Sequence, residues 1–227
     1  MASTMSTVVA TAGLTLLLGS LADAALADAA LANRWPSLDS PELGQGPYSS
    51  MHMMLQKTFL RINVATIDVR VDKQAQARLA AQARDKTYSD ALSSQLAQTI
   101  MSADRAVVQM HFARDVSLNR WMGVVQDSLE QARRAGLIDA DLERRVKDGL
   151  PQWFAALKDR GYEKGDRLIY SMIPEGTLTM VVSAGNQMLV HRVDTDPGAR
   201  RVVLSSYFAP ESDFREPLLR SLLAKKS

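Results

Sequence analysis

The sequence contains no cysteine, which excludes disulfide scaffolds, thiol catalysis, cysteine-based zinc sites and iron–sulfur clusters. It also lacks a surplus of positive charge, because 27 lysines and arginines are balanced by 25 aspartates and glutamates. Domains that hold a nucleic-acid backbone usually concentrate a basic excess on one surface, so we expect no nucleic-acid partner. The short motifs of zinc proteases, serine hydrolases, P-loop proteins and dinucleotide-binding domains are missing too. The sequence therefore predicts no cofactor and no metal site, and it identifies no catalytic residue.

The composition that remains is that of an ordinary folded protein. Of the 227 residues, 46% are hydrophobic and 23% are charged, which is typical of soluble globular domains. The length suits one domain, or one domain with a tail. This composition excludes a disordered chain, a collagen-like repeat and a membrane protein with several spans.

The first 33 residues differ from the rest because they contain no lysine or arginine. Residues 8–22 form an apolar to weakly polar run that is too short to cross a bilayer core of ~30 Å as a helix. Such a run, followed by small-x-small sites, is typical of a cleaved signal peptide, and we expect cleavage after Ala27. Two alternatives stay open: an N-terminal helix packed on the domain, or a start codon placed upstream of the true one.

These alternatives decide the predicted location of the protein. A signal peptide over residues 1–27 predicts a periplasmic or secreted protein with no integral membrane span after its removal. Without the signal peptide, the protein is expected to be cytoplasmic. The sequence does not define the oligomeric state.

Residues 28–55 are predicted to be an extended lead-in, and residues 56–224 are predicted to form the domain. Strand-like alternation of apolar and polar residues runs from Gln56 to Asp72. Its apolar phase shifts by one residue around Ala65 and Thr66. A one-residue slip turns every side chain to the other face, so we expect a β-bulge or a bend there.

Helical spacing and capping residues predict a helix-rich middle of the chain that contains one further strand. The predicted helices cover 73–84, a segment after Ser89, Ser117 to Gly136, and Ala140 to about Arg160 with a break at Pro151; the strand covers Val107 to Ala113. The C-terminal third predicts an antiparallel meander of strands at 167–173, 177–183, 188–193 and 201–207, then a helix after Ser212. This order predicts an α+β domain with helices packed on an antiparallel sheet.

Several segments of the domain together form a recognisable pattern. They are Thr58 to Val64 followed by Lys73 to Arg84, Phe112 to Ser117, Leu150 to Phe154, Gly161 to Asp166 with Tyr170 in the next strand, and Ser206 to Arg215. With this pattern the chain resembles the chalcone isomerase-like family in its bacterial form, over about residues 56–224. The resemblance implies an open-faced β-sandwich, in which a helical layer covers one side of a long antiparallel sheet.

The plant isomerases of that family close a chalcone to a flavanone, and the resemblance implies the residues that this reaction needs. An early-strand arginine would hold the nucleophilic oxygen, and a tyrosine, a lysine and an asparagine on the helix after the central strand would polarise the ketone. Residues 35–56 contain no lysine or arginine, and the segment Leu118 to Val125 contains no tyrosine or lysine. We therefore expect the fold without this activity.

Some non-catalytic relatives bind fatty acids, so the resemblance implies a protein that holds a fatty acid or another small lipophile in an apolar cleft, and the expected signal peptide makes it an exported one. An arginine fork suits a carboxylate, which makes Arg61 and Arg114 candidate ligand-binding residues. Asn63, nearest the strand threonine of the isomerases, and the Tyr170 hydroxyl complete the candidate set. Arg61 shares a strand face with Asn63, and we expect this face on the open side of the sheet, where the ligands of the family lie.

Two alternative functions stay open at this point. One is an isomerase or intramolecular lyase of the chalcone isomerase type that uses a non-standard set of residues. The other is a structural or interaction protein whose cleft is filled.

Overall fold

The computed structural model describes residues 38–45, 50–57, 62–174 and 176–223. The signal peptide expected over residues 1–27 and the candidate residue Arg61 lie outside the described residues. The strands are β1 (Ser50–Lys57), β2 (Ile62–Val71), β3 (Ala106–Phe112), β4 (Arg167–Met172), β5 (Leu178–Ala184) and β6 (Gln187–Asp194). The helices are α1 (Lys73–Ala83), α2 (Asp90–Met101), α3 (Leu118–Arg134), α4 (Ala140–Trp153), α5 (Pro197–Phe208) and α6 (Arg215–Ser221), with a 3₁₀ turn at Ala155–Leu157.

The six strands form one sheet in the order β1-β2-β3-β4-β5-β6, and every neighbouring pair is antiparallel. Helices α1 and α2 connect β2 to β3, α3 and α4 connect β3 to β4, and α5 and α6 follow β6. The long antiparallel sheet with a helical layer is the α+β architecture that the sequence predicts.

One face of the sheet supplies much of the hydrophobic core. In β2, Ala65, Ile67 and Val69 are fully buried, whereas the residues between them are partly exposed. This alternation follows from the period of two in a β-strand. Val69 pairs with Val108 of β3, and Val108 pairs with Tyr170 of β4, so the core-facing side continues across the sheet to Tyr170.

The register between β1 and β2 shifts near the start of β2. Leu55 pairs with Ala65, whereas Gln56 pairs with Asn63, so Val64 is an extra residue in β2. An extra residue of this kind is a β-bulge, and it turns the following side chains to the opposite face. The bulge expected around Ala65 and Thr66 is therefore present immediately before that position.

The sheet also begins earlier than the sequence predicts. β1 starts at Ser50, within the segment expected to be an extended lead-in. Met51 and Met53 are buried against the core, whereas His52 and Met54, which alternate with them, are exposed. The alternation is regular, but methionine is not among the residues enriched in strands, so the signal was weak.

The segment 201–207, predicted as a fourth strand of the C-terminal meander, is part of helix α5, and that prediction is wrong. The Asp-Pro-Gly sequence that suggested a turn is the start of the helix. Asp196 Oδ1 accepts a 2.7 Å hydrogen bond from Gly198 N, and Pro197 occupies the first helical position. Proline suits this position because the backbone N–H that it lacks would have no partner inside the helix.

The C-terminal helices connect distant parts of the fold. α5 packs against α2 and α3, and α6 packs against α2 and β1. The Ser221 hydroxyl of α6 accepts a 3.0 Å hydrogen bond from the backbone N–H of His52 in β1. The last segment of the described chain thus runs from β6, at one edge of the sheet, to β1 at the other. None of the helices in the described part of the chain is long and apolar enough to cross a membrane.

Candidate functional site

A cavity of about 350 Å³ lies between strands β4 to β6 and helices α3, α4 and α5. This volume is in the lower part of the range of small-molecule sites, about 300–1,000 Å³. Most of its wall is apolar or aromatic. The apolar and aromatic lining residues are Trp121, Val124, Val125, Leu142, Val146, Leu150, Trp153, Phe154, Leu178, Met180, Ala199, Val202, Val203 and Phe214.

The sheet side of the cavity contains a row of three side chains that lie side by side across the strands. Tyr170 of β4 pairs with Met180 of β5, and Met180 pairs with Arg192 of β6. Neighbouring strands are about 4.8 Å apart, so the row is about 10 Å long. It leads from a phenol at the central strand, across a thioether, to a guanidinium at the edge of the sheet.

Four charged residues, Arg145, Arg192, Asp194 and Asp196, form what we call the cavity rim. Arg192 NH2 lies 2.9 Å from Asp194 Oδ2, and Arg145 NH2 lies 3.2 Å from Asp196 Oδ2. The Arg192 guanidinium also lies 4.1 Å from the centre of the Trp153 ring. The positive and negative charges of the rim are therefore paired with one another.

Two tyrosines, Tyr170 and Tyr207, belong to the cavity wall. Burial raises the pKa of both phenols above the usual value, and for Tyr207 the nearby Tyr170 adds to the shift. Both phenols are therefore protonated at neutral pH and can donate a hydrogen bond. No hydrogen bond joins either hydroxyl to another described residue.

An aromatic cluster of Phe112, Trp121 and Tyr162 lies beside the cavity, and Trp121 contributes to its wall. The Phe112 and Tyr162 rings stack at 4.1 Å, and Trp121 meets Tyr162 edge-on at 5.6 Å. Trp121 Nε1 and Tyr162 Oη are both buried and have no partner among the described residues. Buried polar atoms usually have a partner, so these two require an explanation.

The structure brings one of the candidate residues, Tyr170, into the cavity wall. Asn63 is exposed and accepts a 2.8 Å hydrogen bond from Gln56 Nε2, and Arg114 is exposed after β3; neither contributes to the wall. The cavity lies between the sheet and its helices, whereas the family resemblance implies a ligand on the open side of the sheet. Roles for Arg61, Asn63 and Arg114 in binding stay predictions.

The other lining residues were not predicted as a site, although part of their signal is visible in the sequence. Trp121 and Val125 follow the helical spacing of α3, which identifies them as buried but does not distinguish a cavity wall from a filled core. Arg192 and Asp194 are polar residues of an edge strand, and such residues are usually assigned to solvent. Their place at the rim follows from the packed fold, in which β6 contacts the 3₁₀ turn.

No protein-family model matches this chain, and no curated protein has a significantly similar sequence. Among solved structures, the chain is similar to a fatty-acid binding protein of Arabidopsis thaliana. The TM-score is 0.54 at 12% identity, over 83% of this chain and 90% of that protein. The fold of this chain is chalcone isomerase-like. The identity is low, so the likeness establishes this fold and leaves the ligand to be argued from the cavity.

The chalcone isomerase-like fold places α3, the helix after β3, directly over the cavity. Its cavity-facing residues are Trp121, Val124, Val125 and Ser128. The Ser128 hydroxyl donates a 2.9 Å hydrogen bond to the carbonyl of Val124 and is thereby occupied by its own helix. This helix therefore presents a largely apolar surface to a ligand.

Proposed function

We propose that this protein is an exported, non-catalytic member of the chalcone isomerase-like family that binds a fatty acid or another small lipophile. The observation that carries the proposal is the apolar cavity of about 350 Å³ between the sheet and its helices. A wall of this composition favours a hydrocarbon chain, because each buried methylene contributes about 0.8 kcal/mol. The fatty-acid binding protein with the same fold supports this ligand class.

A first experiment identifies the ligand that the cavity carries. Native mass spectrometry of the freshly purified protein is expected to show a co-purified small lipophile that organic extraction removes. Protein that carries no lipophile, and that binds none when titrated with long-chain acids, alcohols and esters, would favour the interaction-protein alternative.

A second experiment locates that ligand in the cavity. Val203 is buried in the cavity wall, so Val203→Phe fills part of the volume and is expected to weaken binding by about tenfold or more. Val193→Phe is the matched control, because Val193 is 53% exposed and lies outside the wall. If Val203→Phe shows no cooperative unfolding and is therefore misfolded, Val125→Phe is used instead. Val125 is only half-buried, so a larger side chain there disturbs the core less. Equal affinity in filled and control variants would place the ligand elsewhere.

Export is the remaining part of the proposal, and it rests on the sequence of the first 27 residues. N-terminal sequencing of the protein from its native host is expected to begin at Asp28. A mature chain that still begins at Met1 or Ala2 would exclude a cleaved signal peptide. The cytoplasmic alternative would then apply.

A further inference from the structure

We propose that the cavity selects a lipophile with an uncharged oxygen head group, such as an alcohol, an ester or a ketone, over a carboxylate. This inference rests on the proposed function and specifies the ligand class. Tyr170 and Tyr207 bind the head group, and the apolar wall surrounds the hydrocarbon chain.

The first reason is the hydrogen-bonding character of the two tyrosines. Tyr170 and Tyr207 both line the cavity, and no hydrogen bond joins either hydroxyl to another described residue. A protonated phenol can donate a hydrogen bond. Two such donors in an otherwise apolar wall favour a ligand that carries an acceptor, and a carbonyl, ester or hydroxyl oxygen supplies one.

The two tyrosines come from different layers of the same wall. Tyr170 belongs to β4 of the sheet, and Tyr207 belongs to α5. The Tyr207 ring lies 5.3 Å from the ring of Phe214, another residue of the wall. The sheet and the helical layer therefore each supply one phenol to this cavity.

The second reason is the pairing of charges at the rim. Arg192 is held by Asp194 at 2.9 Å, and Arg145 is held by Asp196 at 3.2 Å. A carboxylate that enters this cavity has to leave its hydration shell and then compete with an aspartate for either guanidinium. Burial of a charge without a dedicated counter-ion is strongly unfavourable, whereas transfer of an uncharged oxygen from water costs much less free energy.

The experiment compares three probes that share a ten-carbon chain, decan-1-ol, methyl decanoate and decanoate, by calorimetric titration of the full chain at pH 8. Decan-1-ol and methyl decanoate are expected to bind about tenfold more tightly than decanoate, or better. Tyr170→Phe and Tyr207→Phe are expected to weaken binding of the two neutral probes several-fold. They should not lower the melting temperature of the empty protein, because each removes a hydroxyl that has no partner among the described residues. Tyr88→Phe is the matched control, since Tyr88 lies outside the cavity wall, below the Arg220 guanidinium.

The outcomes separate this inference from the proposed function. If decanoate binds as tightly as the neutral probes or more tightly, the head-group inference is wrong while lipophile binding stands. If Arg61→Ala then loses the binding of decanoate, Arg61 binds its carboxylate. If none of the three probes binds, both proposals are wrong. The comparison of probes uses the unaltered protein, so it does not depend on the folding of any variant.

Discussion

The guanidinium of Arg192 lies over the Trp153 ring and donates a 2.9 Å hydrogen bond to Asp194, so one side chain carries both contacts at the cavity rim. Stacking on an aromatic face and pairing with a carboxylate both suit the planar guanidinium, and they fix its orientation. Arg192 therefore lies at the edge of an apolar cavity, and its positive charge is paired with the Asp194 carboxylate.

This arrangement predicts that removal of one negative charge will change the ligand preference. Asp194→Asn leaves Arg192 without its carboxylate, and the asparagine oxygen can still accept the 2.9 Å hydrogen bond from Asp196 N. We expect the affinity for decanoate to rise about tenfold and that for decan-1-ol to stay the same. Titration of both probes measures this. Asp141→Asn is the control, because its partner Arg144 is exposed and outside the wall. Unchanged decanoate binding in Asp194→Asn would contradict the prediction.

Asp72 joins the start of α1 to the start of β3, and we predict that its replacement by asparagine destabilises the fold. Asp72 Oδ1 accepts a 2.8 Å hydrogen bond from Ala75 N, and Oδ2 accepts from Asp104 N at 2.8 Å and Arg105 N at 3.3 Å. In Asp72→Asn, an amide NH₂ group replaces one carboxylate oxygen. This group cannot accept a hydrogen bond from the backbone N–H donors that it faces. We expect the free energy of unfolding at pH 7 to fall by about 1–3 kcal/mol.

The same residue predicts a pH dependence. Burial raises the pKa of Asp72, but the hydrogen bonds from backbone N–H groups together lower it by more, so the pKa is below its usual value. Its contribution to stability is therefore complete above about pH 4 and decreases as the pH falls through the lowered pKa. Denaturation curves between pH 7 and pH 2 should show a difference between Asp72→Asn and the unaltered protein that shrinks in acid. Asp139→Asn is the control, because Asp139 accepts a single capping bond, from Leu142 N, that asparagine retains.

The turn before β4 depends on a buried ion pair, and Arg160→Met is predicted to destabilise it. Arg160 NH1 and NH2 bind Asp166 at 2.7 and 3.3 Å, and the Asp166 side chain is only 3% exposed. Loss of the arginine leaves a buried carboxylate with fewer partners, which typically costs about 3 kcal/mol. Chemical denaturation measures this loss. Arg144→Met, which removes an exposed pair, should leave stability unchanged. Equal stability of both variants would show that the Asp166 carboxylate does not depend on Arg160.

We predict that the protein does not cyclise chalcones above the background rate. The family resemblance requires a tyrosine and a lysine on the helix after the central strand, whereas α3 presents Trp121, Val124 and Val125 to the cavity. A stopped-flow assay with a chalcone, at several protein concentrations, tests this. Turnover that Arg61→Ala abolishes would instead support the isomerase alternative.

The sequence predicted the elements that local patterns determine. The alternation in β2 and the phase change near Val64 reflect contacts with the nearest strand, and the caps at Ser89 and Gly136 are local backbone features. Helix α5 was mistaken for a strand because Asp196, Pro197 and Gly198 suit both a turn and a helix start, and tertiary packing decides between them.

The cavity could not be predicted from local patterns, because its wall combines side chains from distant parts of the chain. Trp121 and Phe214 belong to one wall although they are far apart in sequence. Periodicity identifies such residues as buried, and only the packed fold shows whether they meet or leave a space. Tyr170 was named in advance because a family resemblance, rather than a local pattern, drew attention to its strand.

The path of the C-terminal segment has a consequence for how the ligand acts on the protein. α5 forms part of the cavity wall, Phe214 follows it in the same wall, and α6 then packs on β1, where Ser221 accepts the hydrogen bond from His52. β1 and the cavity are at opposite ends of the sheet, yet one short stretch of chain contacts both. We expect a lipophile that holds α5 and Phe214 in place to retain α6 on β1 as well, so that the amide hydrogens of that remote strand exchange more slowly in the loaded protein than in the empty one.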